Sequence, residues 1–156
     1  MKKKYITKND NETIDLGRKL GLLLKGGEII LLEGDLGGGK TTFSKGLALG
    51  LGVEAEVTSP TFTIEQVYKG RDSLTVFHYD FYRLGGGDIA EMEFLESIKS
   101  DKTVVIVEWP QVLKELLPEQ RIEIKFTYLD ENKREIEIEG VGEKGEEIIR
   151  KFLIPN

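Results

Sequence analysis

The chain has 156 residues, of which 39% are hydrophobic and 32% are charged, a balance that excludes wholesale disorder. It has 22 basic and 28 acidic residues, and the net charge of −6 argues against a stand-alone nucleic-acid binder, which needs clustered Lys and Arg. It has no cysteine, which excludes disulfides, thiolate metal sites and a thiol nucleophile.

Short apolar runs indicate that the chain does not enter a membrane. The longest are residues 29–32 and 104–107, each too short to span a bilayer or to form the core of a signal peptide. The basic start at Met1 has no apolar stretch behind it, so we expect an untargeted, cytoplasmic protein. Because no repeat or long linker divides the sequence, we expect residues 1–156 to form a single domain.

The first half of the sequence predicts two helices separated by a buried strand. Asn9, with Glu12 three residues later, matches a capping box and predicts a helix that continues to Gly26-Gly27. Residues 28–33 form an apolar run between glycines, which is typical of a buried strand. Residues 40–49 then predict a second helix.

The middle of the sequence predicts a hairpin followed by an amphipathic helix. Residues 62–68 and 74–82 are rich in β-forming residues and flank a polar, glycine-containing turn. Residues 88–99 place an apolar residue at every third position, which predicts an amphipathic helix: Ile89, Met92, Leu95 and Ile98.

The remaining residues predict a mixture of strands and helices. Residues 104–107 form a second wholly apolar strand, and residues 111–117 a short helix that ends before a proline. Residues 121–129 and 134–139 alternate apolar and charged side chains, which predicts a hairpin with one wet face, and residues 145–153 predict a terminal helix. Together these elements predict an α/β sandwich whose sheet is part parallel and part antiparallel.

The most informative motif lies between the first buried strand and the second helix. Gly34-Asp35-Leu36-Gly37-Gly38-Gly39-Lys40-Thr41 fits the pattern G-x-x-x-x-G-K-[ST] at every fixed position. Glycines let backbone N–H groups wrap a phosphate, and the helix N-terminus adds partial positive charge. We therefore expect a three-layer sandwich of the P-loop NTPase type.

Several residues of this phosphate loop have expected roles. Lys40 reaches the β- and γ-phosphates, and the Thr41 hydroxyl is a ligand for Mg²⁺. Thr42 either contacts the α-phosphate or caps the helix, and the sequence does not decide between these roles. The expected nucleotide-binding residues of the loop are Asp35, Leu36, Gly37, Gly38, Gly39, Lys40, Thr41 and Thr42.

Two carboxylates are candidate partners for the metal. Glu108 follows the apolar strand 104–107 directly, although it could also be a solvated strand end. Strand alternation puts Asp80 on the same side as His78, the only histidine, and this side could equally be the polar outer face of a hairpin. Either carboxylate could orient an attacking water, so the reaction does not need His78 as a base.

Other features bear on the nucleotide and the reaction. Thr61 follows Ser59-Pro60 and either senses the γ-phosphate or belongs to a strand-entry turn. The guanine-reading pattern N-K-x-D is absent from the sequence, which favours ATP over GTP. No second substrate-binding lid is evident, which makes a small-molecule kinase the weaker alternative.

Four motifs together resemble the TsaE (YjeE) family in order and spacing. They are the phosphate loop, Ser59-Pro60-Thr61-Phe62, His78-Tyr79-Asp80-Phe81-Tyr82-Arg83-Leu84 and Val107-Glu108-Trp109-Pro110. The loop differs at Gly38, where the family commonly has alanine. The resemblance implies a bacterial ATPase of tRNA threonylcarbamoyladenosine synthesis that supports turnover of a TsaD–TsaB complex, with tRNA handled only by the complex.

The resemblance also implies roles for individual residues. Lys40, Asp80 and Glu108 would be catalytic, and Asp80 and Glu108 would complete the Mg²⁺ site with Thr41. Thr61 would belong to a switch loop, and Trp109 would lie close to the ATP pocket. Arg83 could act on the phosphates, but no strong base or arginine supplied from outside is evident, so we expect turnover on the order of 10⁻⁴ to 10⁻² s⁻¹ without partners. The alternative is a protein that is not primarily an enzyme: a nucleotide-dependent scaffold in which hydrolysis is incidental.

Overall fold

The computed structural model describes residues 1–34, 39–54, 65–80, 89–108 and 118–152. Seven strands and four helices follow one another in these residues. They are β1 (Lys2–Thr7), α1 (Asp10–Gly21), β2 (Ile29–Gly34), α2 (Lys40–Gly50), β3 (Glu65–Lys69), β4 (Thr75–Asp80), α3 (Ile89–Ser97), β5 (Thr103–Glu108), β6 (Arg121–Tyr128), β7 (Arg134–Val141) and α4 (Gly142–Phe152). The predicted helix at residues 111–117 lies outside the described residues.

All seven strands form one sheet in the order β1-β7-β6-β2-β5-β4-β3. The four central strands, β6, β2, β5 and β4, are parallel to one another. On one side, β3 pairs antiparallel with β4. On the other side, β7 pairs antiparallel with β6, and β1 pairs antiparallel with β7. This arrangement confirms the predicted mixed sheet, including both hairpins.

Helices cover both faces of the sheet, which confirms the three-layer sandwich. One face carries α1, α2 and α4, whose buried residues join a core with alternate residues of the strands. The other face carries α3, which packs through Phe94 against Tyr79, Val105 and Val107. Within the described ranges, no helix is long and apolar enough to cross a membrane.

Helix α1 begins as predicted but ends earlier. The Asn9 side chain accepts a hydrogen bond from the Glu12 N–H, and the Glu12 carboxylate accepts one from the Lys8 N–H, so the capping residues hold the first turn. The helix ends at Gly21 rather than at Gly26-Gly27. Gly26 and Gly27 have positive φ angles and form the turn that leads into β2.

Helices α1 and α2 pack backbone to backbone through two pairs of glycines. Gly17 and Gly21 lie on α1, and Gly46 and Gly50 lie on α2, each pair separated by one helical turn. A Cβ on Gly46 would lie 2.1 Å from the Ile14 carbonyl oxygen, and one on Gly50 would lie near an α1 carbonyl as well. The helix that follows the phosphate loop is therefore held against α1 at a distance that only glycine permits.

Replacing Gly46 by alanine is expected to lower the free energy of unfolding by about 1–3 kcal/mol, because the two helices must separate. At an exposed helical site, the same change would raise it by about 1 kcal/mol. Urea denaturation measures the difference, with Lys45→Ala on the exposed side of the same helix as the control. A Gly46→Ala protein as stable as the wild type would contradict this account of the packing.

The sequence did not predict the edge strand β1. Three lysines at residues 2–4 lack the apolar alternation of a strand. In the sheet, Lys2 and Lys4 form ion pairs with Glu137 of β7 at 3.4 and 3.9 Å. The lysines that make this segment unlike a strand in the sequence are thus complementary in charge to the neighbouring strand.

Helix α3 is present as predicted, but its apolar side chains at every third position do not share one buried face. Ile98, just after the helix, packs against the core. Met92 is 69% exposed and Leu95 is also exposed, whereas Phe94 and Ser97 are buried. Apolar residues at every third position drift around a helix of 3.6 residues per turn, so they do not stay on one face. The buried side is instead fixed by Tyr79, whose ring packs edge-on against Phe94 and whose hydroxyl donates to Ser97 Oγ.

Candidate functional site

Two glycines with positive φ angles flank the phosphate loop. Gly34 ends β2 with φ 131°, and a Cβ there would lie 2.1 Å from the Phe126 carbonyl oxygen of β6. Gly39 has φ 104° and is the N-cap of α2, with no side chain capping the helix. Backbone conformations of this kind favour glycine, so both ends of the motif have a structural reason for their glycines.

Lys40 begins α2 and lies over the end of β2. Its Nζ donates a hydrogen bond to the Gly34 carbonyl oxygen at 3.1 Å, so the ammonium group lies at the end of β2. Thr41 and Thr42 are half-buried in the first turn of α2. Thr42 does not cap the helix, since Gly39 is the N-cap residue, so the capping role considered for Thr42 is wrong.

Asp80 and Glu108 end two neighbouring parallel strands. They are paired in the register of β4 and β5, so their side chains lie on the same face of the sheet. Asp80 is 6% exposed and Glu108 is 5% exposed. The alternatives of a solvated strand end and a polar outer face are therefore wrong for these two residues.

These carboxylates lie on the face of the sheet that α2 covers. Glu108 is also in register with Leu32 of β2, two residues before Gly34. Leu32 and Ile106, which share this face with Glu108, belong to the core packed under α2. The carboxyl ends of β2, β5 and β4 therefore bring the start of the phosphate loop and both carboxylates to one edge of the sheet.

His78 lies between the core and these carboxylates. Its ring is 1% exposed, and its Nε2 is 3.3 Å from Glu108 Oε2. Within the described residues, neither ring nitrogen nor Glu108 Oε2 has an aligned hydrogen bond. The sequence placed His78 on the side of Asp80, but its contact with Glu108 depends on the register of β4 and β5.

The residues at this edge fit a hydrated Mg²⁺ ion bound together with a nucleotide. Two buried carboxylates on paired residues repel each other, and Glu108 Oε2 is buried without a hydrogen bond within the described residues; a cation would relieve both costs. In the described part of the chain, no group of three or more His, Asp or Glu side chains is arranged to hold a metal. Mg²⁺ is commonly bound by one or two carboxylates plus phosphate oxygens and water, and Asp80 and Glu108 offer such carboxylates.

The β6–β7 turn adds a cation that the sequence did not single out. A Cβ on Gly39 would lie 3.6 Å from Arg134 Cγ and 3.8 Å from Thr13 Cγ2, so both side chains border the start of α2. The Arg134 guanidinium packs on the Tyr128 ring and donates to carbonyl oxygens of the turn.

The backbone N–H groups of residues 132 and 133 stabilise the Asp130 carboxylate and lower the pKa of that group.

Other predicted site residues lie outside the described residues. They are Asp35, Leu36, Gly37, Gly38, Thr61, Arg83 and Trp109. Their expected roles stay predictions.

The fold and the described edges of the site define a class of protein. A central parallel strand leads through a glycine-rich segment into a helix that starts with Lys40-Thr41, and acidic residues end the adjacent strands. This is the architecture of P-loop nucleotide-binding proteins.

Comparisons with known proteins identify the family. The sequence model of the family described as "Threonylcarbamoyl adenosine biosynthesis protein TsaE" matches residues 7–136. The chain is 38% identical over 143 residues to the tRNA threonylcarbamoyladenosine biosynthesis protein TsaE of Bacillus subtilis, covering 92% of this chain and 89% of the relative. It is 39% identical over 134 residues to the Treponema pallidum protein of the same name, covering 85% and 97%.

A solved structure agrees with this assignment. The crystal structure of Bacillus subtilis YdiB superposes with a TM-score of 0.79 at 34% sequence identity, covering 97% of this chain and 94% of that one. The chain belongs to the TsaE family. This confirms the resemblance drawn from the four motifs.

Proposed function

We propose that this chain is the ATP-binding and ATP-hydrolysing component of the machinery that makes N6-threonylcarbamoyladenosine in tRNA. The relatives named for tRNA threonylcarbamoyladenosine biosynthesis support the pathway. The observation that supports ATPase activity best is that Lys40, at the start of the helix that follows β2, and two buried carboxylates lie at the same edge of the sheet. The chain acts as one domain in the cytoplasm.

Lys40 and the first turn of α2 bind the triphosphate in this proposal. Nζ of Lys40 leaves the Gly34 carbonyl oxygen and binds phosphate oxygens, while the N–H groups at the helix start donate to them. The fixed positive charge at this position stabilises negative charge that develops on the transferred phosphoryl group. The absence of N-K-x-D supports ATP as the nucleotide.

Thr41, Asp80 and Glu108 would hold Mg²⁺ in this proposal. When bound, Mg²⁺ supplies positive charge that offsets the charge of the phosphates. The Glu108 and Asp80 carboxylates also accept hydrogen bonds from the attacking water and orient it toward the γ-phosphate. Orientation is enough here, because phosphoryl transfer to water depends on positioning more than on a strong base.

The chain works with the TsaD and TsaB proteins, and tRNA is bound by that complex. Support comes from the net charge of −6, which suits a chain that docks on protein rather than on tRNA phosphates. We expect ATP turnover to be slow without partners and faster with them.

Partner-dependent turnover tests the proposal. Purified TsaD–TsaB is mixed with this chain, ATP, Mg²⁺ and tRNA, and both phosphate release and modified tRNA are measured over several turnovers. We expect phosphate release to rise at least tenfold with the partners present, and modification to continue beyond one turnover. ADP formation that depends on an added metabolite without partners would instead support a small-molecule kinase. Modification sustained without hydrolysis would support the scaffold.

A further inference from the structure

His78 is a buried histidine, and packing in the core does not explain why a ring with two polar nitrogens occupies this position. Its ring lies on the sheet face that α2 covers, level with Ile106 of β5 and two residues from Val76, both of which are core residues. Buried imidazole nitrogens normally have hydrogen-bond partners, because an unsatisfied one costs free energy. Within the described residues, neither nitrogen of His78 has an aligned partner.

The group nearest to this ring is the Glu108 carboxylate. Nε2 of His78 is 3.3 Å from Oε2 of Glu108, and Oε2 also lacks an aligned hydrogen bond in the described part of the chain. The two unsatisfied atoms are therefore adjacent and within hydrogen-bond distance of each other. The neutral Nε2–H tautomer is sufficient for this bond.

We propose that His78 is a positioning residue for Glu108, an inference that rests on the proposed ATPase function. The Nε2–H group donates to Oε2, which fixes the plane of the carboxylate and leaves Oε1 directed to the nucleotide site. Because the ring is 1% exposed, it reaches the site through Glu108 rather than through solvent. Partners that orient a metal-binding side chain in this way are worth about 10–100-fold in metal affinity or activity.

Two amide replacements separate this role from simple packing. In His78→Gln, the amide nitrogen is as many bonds from Cα as Nε2 is, so it can still donate to Glu108. In His78→Asn, the amide occupies the position of Nδ1 and does not reach Glu108. We expect Mg²⁺ to bind the complex of the Asn variant with ADP about 10–100-fold more weakly, and the Gln variant to lie closer to the wild type.

Calorimetric titration of ADP with and without Mg²⁺ gives these affinities. Affinity for ADP in EDTA should be unchanged in all three proteins, because the proposed role of His78 acts only through Glu108 and the metal. In a Glu108→Gln background, His78→Asn should cause no further loss. Equal Mg²⁺ affinity in the Asn variant and the wild type would overturn the inference about His78 but leave the proposed ATPase function intact. A wild type without any Mg²⁺-dependent binding would overturn the proposed function and the inference with it.

The wild-type chain provides a test that needs no substitution at His78. Because the sequence has one histidine, a ¹⁵N-labelled, untagged chain gives one imidazole spectrum. We expect the Nε2–H tautomer, with slow exchange of that proton in the Mg·ADP complex and a shifted Nε2 signal in Glu108→Gln. An Nδ1–H tautomer, or an Nε2 signal indifferent to Glu108→Gln, would overturn the inference even if the His78 variants do not fold.

Discussion

Replacing Lys40 by alanine is expected to reduce ATP turnover by about 10²–10³-fold, measured with the TsaD–TsaB complex present. The ammonium group lies 3.1 Å from the carbonyl oxygen of Gly34, the first residue of the phosphate-loop motif. Its removal leaves the developing charge of the phosphoryl group without a fixed counter-charge. The fold should tolerate the change, because Lys40 is half-buried and alanine is a strong helix former.

Lys45→Ala is the matched control for this experiment. Lys45 lies on the exposed side of the same helix and has the same charge, so its removal changes net charge equally without touching the loop. We expect turnover within about twofold of the wild type. Equal losses of turnover in the two variants would show that net charge causes the loss and would contradict a specific role for Lys40.

Replacing Glu108 by glutamine should separate activity from stability. Phosphate release is expected to fall by about 10²-fold or more, since the change removes a charge from the site while it keeps the shape of the side chain. Thermal unfolding should occur at the same temperature as in the wild type, or higher. The reason is that the variant relieves the repulsion between two carboxylates buried side by side.

The control is Glu54→Gln, because Glu54 is exposed and lies outside the strands. Neither its turnover nor its unfolding temperature should change measurably. Full activity in Glu108→Gln would exclude the carboxylate from the reaction. A large loss of stability without a loss of activity per folded molecule would make Glu108 a structural residue.

The sequence predicted those parts of the fold that local patterns determine. The cap of α1, the apolar strands β2 and β5 and the β6–β7 hairpin each have a signal within a few residues. It also predicted that acidic strand ends would accompany the phosphate loop, because parallel strands of such a sheet end at one edge.

The features it missed depend on contacts between distant residues. Strand β1 pairs with β7 and forms ion pairs with Glu137, more than a hundred positions away in the chain. Arg71, which the sequence assigned only to a turn, donates hydrogen bonds to carbonyl oxygens at the ends of α1 and α2, Gly21 and Leu22 among them. The contact between His78 and Glu108 depends on strand register, which no local pattern encodes.

The central claim is that residues 34–41 bind the phosphates of ATP. Titration of the wild-type chain with ATP and Mg²⁺ in a calorimeter, alone and with TsaD–TsaB, tests it most directly. We predict saturable binding at one site per chain, weaker in Lys40→Ala and unchanged in Lys45→Ala. No heat of binding at millimolar ATP under either condition would contradict the claim.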